Sequence, residues 1–189
     1  MQQGSLSLDK SVTIDASALT NRVTVNADNM SRVLQVNSGV TAVLDSLRIT
    51  HGNISGSGGG IYNQGDLTVD NIDFFNNLSS QYGGGIYNSG NLTLMSSTFS
   101  SNGALYGGGI FNAGGTVTVT YSILEQNSAS SNGGGIYNAN SGSLSVTNST
   151  LSGNTGSSGG SIATESGTTT TIKGSTLTGN QATRQPYKT

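Results

Sequence analysis

Apolar and polar residues alternate along this chain in short bursts, and the bursts themselves return about every 25 residues. Leu6-Ser7-Leu8 and Val12-Thr13-Ile14 open the pattern. Alternation with period two puts one face of an extended segment toward a core and the other toward water, so each burst predicts a short β-strand. From Ile54 onward every unit carries three bursts. The first ends in Ile61, Ile86, Ile110, Ile136 and Ile162, each of the first four preceded by three glycines. The second is Leu67-Thr68-Val69, Leu92-Thr93-Leu94, Val117-Thr118-Val119, Leu144-Ser145-Val146 and Thr170-Thr171-Ile172. The third is marked by Phe74, Phe99, Leu124, Leu151 and Leu177, with Asn77, Asn102, Asn127, Asn154 and Asn180 three residues later.

Successive isoleucines are 25, 24, 26 and 26 residues apart. A meander or sandwich does not need the same residue at the same phase in every unit, whereas a stack of coils does. The expectation is therefore an all-β fold, a single-stranded parallel β-helix of about seven coils with three short strands each, rising about 4.8 Å per coil. Equivalent positions then form columns. Ile falls on Ile, Leu on Leu or Val, and Phe on Phe or Leu. The asparagines at a corner can bond to their counterparts above and below. The glycines before each isoleucine suit a tight corner where backbones approach closely.

The chain divides into leading coils over 1–53, regular repeats over 54–180 and a tail over 181–189. Val33-Leu34-Gln35-Val36 takes the place later held by the glycine-isoleucine strand. Aligning Ile14 with Ile49 gives a step of 35 residues, which predicts an inserted loop or extra strand between Ala16 and Ser31, with Val23-Thr24-Val25 as its candidate.

Composition sharpens this picture. Only 8% of the 189 residues are charged and the net charge is -2, against roughly 25% charged in ordinary domains. No basic face exists to neutralise phosphates, so nucleic acid is not an expected partner. No apolar run approaches the roughly 20 residues that span a bilayer, so direct membrane insertion is not expected. There is no cysteine, hence no disulfide framework and no thiolate metal site. The first residues, Met1-Gln2-Gln3-Gly4, have neither the basic nor the apolar part of a secretory signal. A segment of a longer protein is the expectation.

The tandem Gly-Gly-x-Ile and Phe-x-x-Asn motifs resemble those of the polymorphic outer-membrane-protein family and related bacterial right-handed β-helix repeat proteins. Gly58-Gly59-Gly60-Ile61 and its copies carry the first motif, and Phe74-Phe75-Asn76-Asn77 and Phe99-Ser100-Ser101-Asn102 carry the second. Leu124, Leu151 and Leu177 depart from it. The resemblance covers residues 54–180. It implies a right-handed helix and a bacterial cell-surface or extracellular setting in adhesive or architectural roles. No autotransporter barrel is present in the chain.

Candidate chemistry is sparse. Coil pairing puts Asp45 over Asp70 and Arg48 over Asp73, with His51 at the corner over Asn76 and Asp9 continuing the first column. Two stacked aspartates could act as an acid/base pair or hold Ca²⁺, but an Arg48–Asp73 surface pair among solvated aspartates is the favoured reading. His51 is the sole histidine, too few for a metal site or a triad. No catalytic, cofactor-binding or metal-ligating set is expected. Thr68, Thr93, Thr118, Ser145 and Thr171 form an outward hydroxyl column, and Thr98, Thr150 and Thr176 form part of another. Tyr62, Tyr87, Phe111 and Tyr137 alternate away from the isoleucines and should stack as an outer aromatic ladder, first of all a stabilising stack and alternatively a surface for sugar rings or a partner. Five Asn-x-Ser/Thr triplets begin at Asn29, Asn53, Asn77, Asn91 and Asn148.

These residues point first to a non-enzymatic, extracellular structural or adhesive solenoid with a glycan or host-surface ligand. Neither end shows a capping element, so copies stacking end to end are part of that expectation. A polysaccharide-binding or polysaccharide-degrading domain working through Asp45, Asp70 and Asp73 comes second. An ice-binding solenoid working through the threonine columns comes third.

Overall fold

Leu6, Leu34, Ile61, Ile86, Ile110, Ile136 and Ile162 stand one above another as paired residues of seven parallel strands. They head the first sheet of a computed structural model that describes residues 4–183. Its strands are Leu6–Leu8, Leu34–Val36, Ile61–Asn63, Ile86–Asn88, Ile110–Ala113, Ile136–Ala139 and Ile162–Thr164. We call this the isoleucine sheet and number the coils 1 to 7 along it.

Two further seven-stranded parallel sheets complete the cross-section. The threonine sheet runs from Val12–Asp15 through Thr41–Asp45, Asp66–Asp70, Asn91–Met95, Thr116–Thr120 and Ser143–Thr147 to Thr169–Lys173. The phenylalanine sheet runs from Val23–Asn26 through Leu47–Thr50, Asp73–Phe75, Thr98–Ser100, Ile123–Glu125 and Thr150–Ser152 to Thr176–Thr178. From coil 2 onward a fourth, two-residue strand joins each coil, from Asn53–Ile54 to Gln181–Ala182. The three strands per coil expected from the sequence are present. The fourth is too short to show a period of two, which is why pattern alone does not reveal it.

The start of the chain corrects one alignment. Ile14 pairs with Leu44 in the threonine sheet, whereas Ile49 pairs with Val25 in the phenylalanine sheet. Of the two alternatives, the extra segment is thus an inserted loop and not an extra strand. Val23–Asn26 is the ordinary third strand of coil 1, and the surplus lies in the seven residues between Asp15 and Val23, where Ser46 alone serves in coil 2.

Corners are short because single residues take the left-handed conformation. Between the second and third strands these are Asn71, Ser96, Tyr121 and Asn148, with φ of 49°, 48°, 49° and 48°. The next corner uses His51, Asn76, Ser101 and Gln126. One such residue bends the chain from one sheet into the next and lets the inward alternation restart at once.

The core is a file of columns. Phe74 and Phe99 are fully buried with ring centroids 4.2 Å apart, and Leu124 and Leu151 continue the column. Burial of each such side chain is worth about 1.5–3 kcal/mol. Beside it, Asn77 Nδ2 donates to Asn102 Oδ1 at 3.0 Å, Asn102 to Asn127 at 2.9 Å, Asn127 to Asn154 at 2.9 Å and Asn154 to Asn180 at 2.9 Å. The same oxygens accept the backbone N–H of the asparagine one coil below. Each amide also donates to a carbonyl of the coil below, as Asn102 does to Phe74. A buried corner is thereby satisfied without water.

A second amide ladder and a hydroxyl ladder are additional findings. Asn63, Asn88, Asn112 and Asn138 are fully buried and bonded in series at 2.7, 3.0 and 2.9 Å. At the opposite corner, Ser97, Ser122, Ser149 and Ser175 accept the N–H of the residue one coil below at 3.0–3.2 Å.

Candidate functional site

The second residue of each isoleucine-sheet strand points away from the core, so Gln35, Tyr62, Tyr87, Phe111, Tyr137 and Ala163 form one outer column. Tyr62 and Tyr87 stack at 4.6 Å and 6° from parallel, and Tyr87 and Phe111 at 5.8 Å and 3°. Tyr137 leaves the stack and meets Phe111 edge-on at 73°. The ladder is not simply exposed, as an outer position suggests. Phe111 is 5% and Tyr137 8% accessible.

The cover is supplied by Tyr82 and Tyr106. Both occupy the position just before a glycine run, in Tyr82-Gly83-Gly84-Gly85 and Tyr106-Gly107-Gly108-Gly109. Gly83 and Gly107 adopt φ of 65° and 63°, a turn that leaves the preceding side chain lying over the outer face of the sheet. Tyr82 reaches Phe111 at 4.6 Å, Tyr106 stacks on Tyr137 at 5.7 Å, and the two covering rings lie 5.6 Å apart. Together with Ala113, Ala139 and Ala163 they make a second apolar cluster outside the solenoid core. The signal was in the sequence as a repeated tyrosine at one phase in two adjacent units.

Between these rings lies an open groove of about 370 Å³ whose far end is polar, bounded by Asn132, Asn140 and Glu165. Glu165 Oε1 accepts the Tyr137 hydroxyl at 2.8 Å and its Oε2 accepts the Asn140 N–H at 2.9 Å. Burial, and then the bond to Glu165, holds the Tyr137 phenol above the ordinary tyrosine value. Tyr87 is raised as well, chiefly by burial and then by Tyr62. At the other end of the ladder the Arg32 guanidinium lies 4.7 Å from the Tyr62 ring centroid. No sequence signal pointed to Glu165, which sits in the degraded last repeat.

The acidic residues are arranged otherwise. Asp45 pairs with Asp70, but the residue that continues their column is Asp15, not Asp9. Asp9 falls in the turn after the first strand, because coil 1 reaches the threonine sheet only at Val12. Asp73 is held by two arginines, Arg22 at 2.7 Å and Arg48 at 3.1 Å. The three aspartates therefore spread over two outer faces, and among the described residues no three acidic or histidine groups converge as a metal site would need. His51 Nδ1 lies 2.9 Å from Thr50 Oγ1.

Thr68, Thr93, Thr118, Ser145 and Thr171 pair in one outward column as expected, but hydroxyls widen into an array across the threonine sheet only in the last three coils. There Thr116, Thr118 and Thr120 pair with Ser143, Ser145 and Thr147, and these with Thr169, Thr171 and Lys173. Asp66, Asp70 and Met95 interrupt it below. In the third-strand column Asp73 and Ile123 stand among the threonines. Of the Asn-x-Ser/Thr triplets, the one at Asn77 is closed to modification in the folded chain, since that amide is a ladder rung with no accessible surface.

Right-handed parallel coiling is also what comparison with known families finds. The family model described as right handed beta helix region matches residues 3–151. The chain belongs to this right-handed β-helix family. That family includes polysaccharide-active enzymes as well as proteins without enzymatic activity. No curated protein and no solved structure matches the chain. For this β-helix the surface features themselves, the aromatic groove above all, must carry any functional reading.

Proposed function

We propose that this β-helix is a non-enzymatic binding and scaffolding segment of a bacterial surface protein, and that it holds its ligand in the aromatic groove. The observation that carries the reading is the groove itself, five aromatic rings from three adjacent coils meeting a carboxylate and two amides. Stacked rings offer flat apolar faces at little entropic cost, and a polar end gives hydrogen-bonding direction. A saccharide or a loop of a partner protein displaying apolar faces and hydroxyls suits that surface. The acidic face supports catalysis poorly by comparison. Asp73 has both oxygens engaged by arginines, and Asp45 and Asp70 stand in an unenclosed column on a flat sheet. The tandem glycine and asparagine motifs, similar to those of bacterial surface β-helices, support the extracellular setting.

A glycan array and a cell-binding assay comparing the wild type with Tyr106→Ala and Tyr87→Ala test this. The expected result is a ligand whose affinity falls about tenfold in either variant, the loss of one aromatic contact. Binding that survives both substitutions would sink the groove reading. Cleavage of a polysaccharide that is abolished by Asp45→Asn with Asp70→Asn would replace it with the enzymatic one.

A further inference from the structure

The outer aromatic ladder and the outer carboxylates of this chain each show, elsewhere in the molecule, which group they accept. At the lower end of the ladder the Arg32 guanidinium lies over the Tyr62 ring, 4.7 Å from its centroid. A guanidinium is planar, weakly hydrated and drawn to the negative face of an aromatic ring. On the phenylalanine sheet Asp73 is met by two guanidinium groups, Arg22 at 2.7 Å and Arg48 at 3.1 Å. In both places the chain supplies the arginine itself.

At the aromatic groove both acceptors come together, and among the described residues no arginine joins them. Tyr82 and Tyr106 offer half-buried ring surface above Phe111 and Tyr137, which are nearly closed. The Glu165 carboxylate stands at the hydroxyl edge of Tyr137. Its two bonds come from neutral donors, the Tyr137 hydroxyl and the Asn140 N–H, whereas a carboxylate has about four acceptor sites. Among the described residues no Lys, Arg or His pairs with it. Glu165 is also the one charged residue among those lining the groove, so its charge adds to the negative faces of the rings.

A neutral sugar would stack on the rings and leave the carboxylate without a counter-charge. A lysine ammonium would supply the charge without a flat face. The guanidinium of arginine does both, with one face for a ring and a fork of N–H donors for a carboxylate. From this complementarity we infer that the groove receives an arginine side chain from a loop of a partner protein. The inference rests on the reading of the groove as the ligand site and names the group that enters it. The guanidinium would lie on the Tyr82 and Tyr106 rings with its N–H edge toward Glu165. The side-chain oxygens of Asn132 and Asn140, at the same end of the groove, would accept its remaining donors.

The test is an NMR titration of the full chain with acetyl-Gly-Arg-Gly-amide and with counterparts carrying citrulline or lysine in place of arginine. Citrulline keeps the shape of arginine and loses its charge. The expected result is saturable shifts confined to the Tyr82 and Tyr106 rings and the side-chain amides of Asn132 and Asn140. Citrulline should bind about tenfold more weakly, the loss of one charge-assisted hydrogen bond at an exposed carboxylate. Glu165→Gln should bring the arginine peptide down to the citrulline level and leave the citrulline peptide unchanged. Backbone amides of Ile61 to Ile110 that keep their positions report an intact fold. Equal binding of the arginine and citrulline peptides at these rings would overturn the inference and leave the groove reading standing; so would equal binding of the lysine peptide. Arginine binding that survives Tyr106→Ala would lie outside the groove and overturn it. Saturation by none of the peptides would overturn it too, with the groove itself judged by the glycan array. Arg184 lies outside the described residues; if Arg184→Gln alone shifts the same rings, the chain's own arginine is the occupant and the partner is overturned.

Discussion

Tyr137 illustrates how one side chain joins the layers of this molecule. Its backbone lies in the isoleucine sheet, its ring packs on Phe111 and Tyr106, and its hydroxyl binds Glu165. Its pKa is raised in the folded chain, so the folded state holds this proton more tightly than the unfolded one. That stabilisation is complete below the ordinary tyrosine pKa of about 10 and is lost as pH rises through the higher folded value. Chemical denaturation as a function of pH should show stability declining above about pH 10, and Tyr137→Phe should flatten the decline; an unchanged slope would contradict the assignment. A ladder amide is a harsher test. Asn102→Ala removes the acceptor for the Asn77 N–H and side-chain amide and the donor to the Phe74 carbonyl. Each buried group left unpaired costs about 1–3 kcal/mol, so urea melts should report a loss of several kcal/mol. A loss under about 1 kcal/mol would mean that water reaches that corner.

At the scale of the strand and its column, the structure states which substitutions the stack has already accepted. Phe99 stands in a column whose later members are Leu124 and Leu151. Phe99→Leu should cost less than about 1.5 kcal/mol, whereas Phe99→Ala should cost about 3–5 kcal/mol. Calorimetry that found the two equal would show that the column does not close around its rings. Most of this layer was legible in the sequence, because a buried position in a stacked fold must repeat at one phase and Ile61, Leu67, Phe74 and Asn77 all do. What was not legible lacks that repetition. The fourth strand is two residues long, coil 1 carries a longer turn after Asp15, and Glu165 enters the groove once only. Tyr82 and Tyr106 repeat, but only twice, and outer positions carry no rule that demands an aromatic. Asp15 was hidden because its column is found only after coil 1 is paired correctly.

The whole molecule is a column of seven like coils whose two ends differ. Among the described residues Leu6 and Val23 are exposed at one end and Ile172 and Leu177 at the other, and we propose that copies associate end to end through these faces. In continuous register Lys173 would meet the Asp15 of the next copy. Sedimentation velocity should therefore show weaker self-association for Lys173→Glu than for the wild type, and an unchanged or stronger one would contradict head-to-tail register. Binding groove, amide ladders and column packing all depend on successive coils lying at identical phase. Scalar couplings transmitted across hydrogen bonds read that phase directly. They should connect the amide nitrogens of Gly84, Gly85 and Ile86 to the carbonyl carbons of Gly107, Gly108 and Gly109, three consecutive residues coupled in one direction to the same coil. Couplings that alternate between neighbouring coils along Gly84 to Ile86, or that join residues at a different phase, would contradict the stacking and everything built on it.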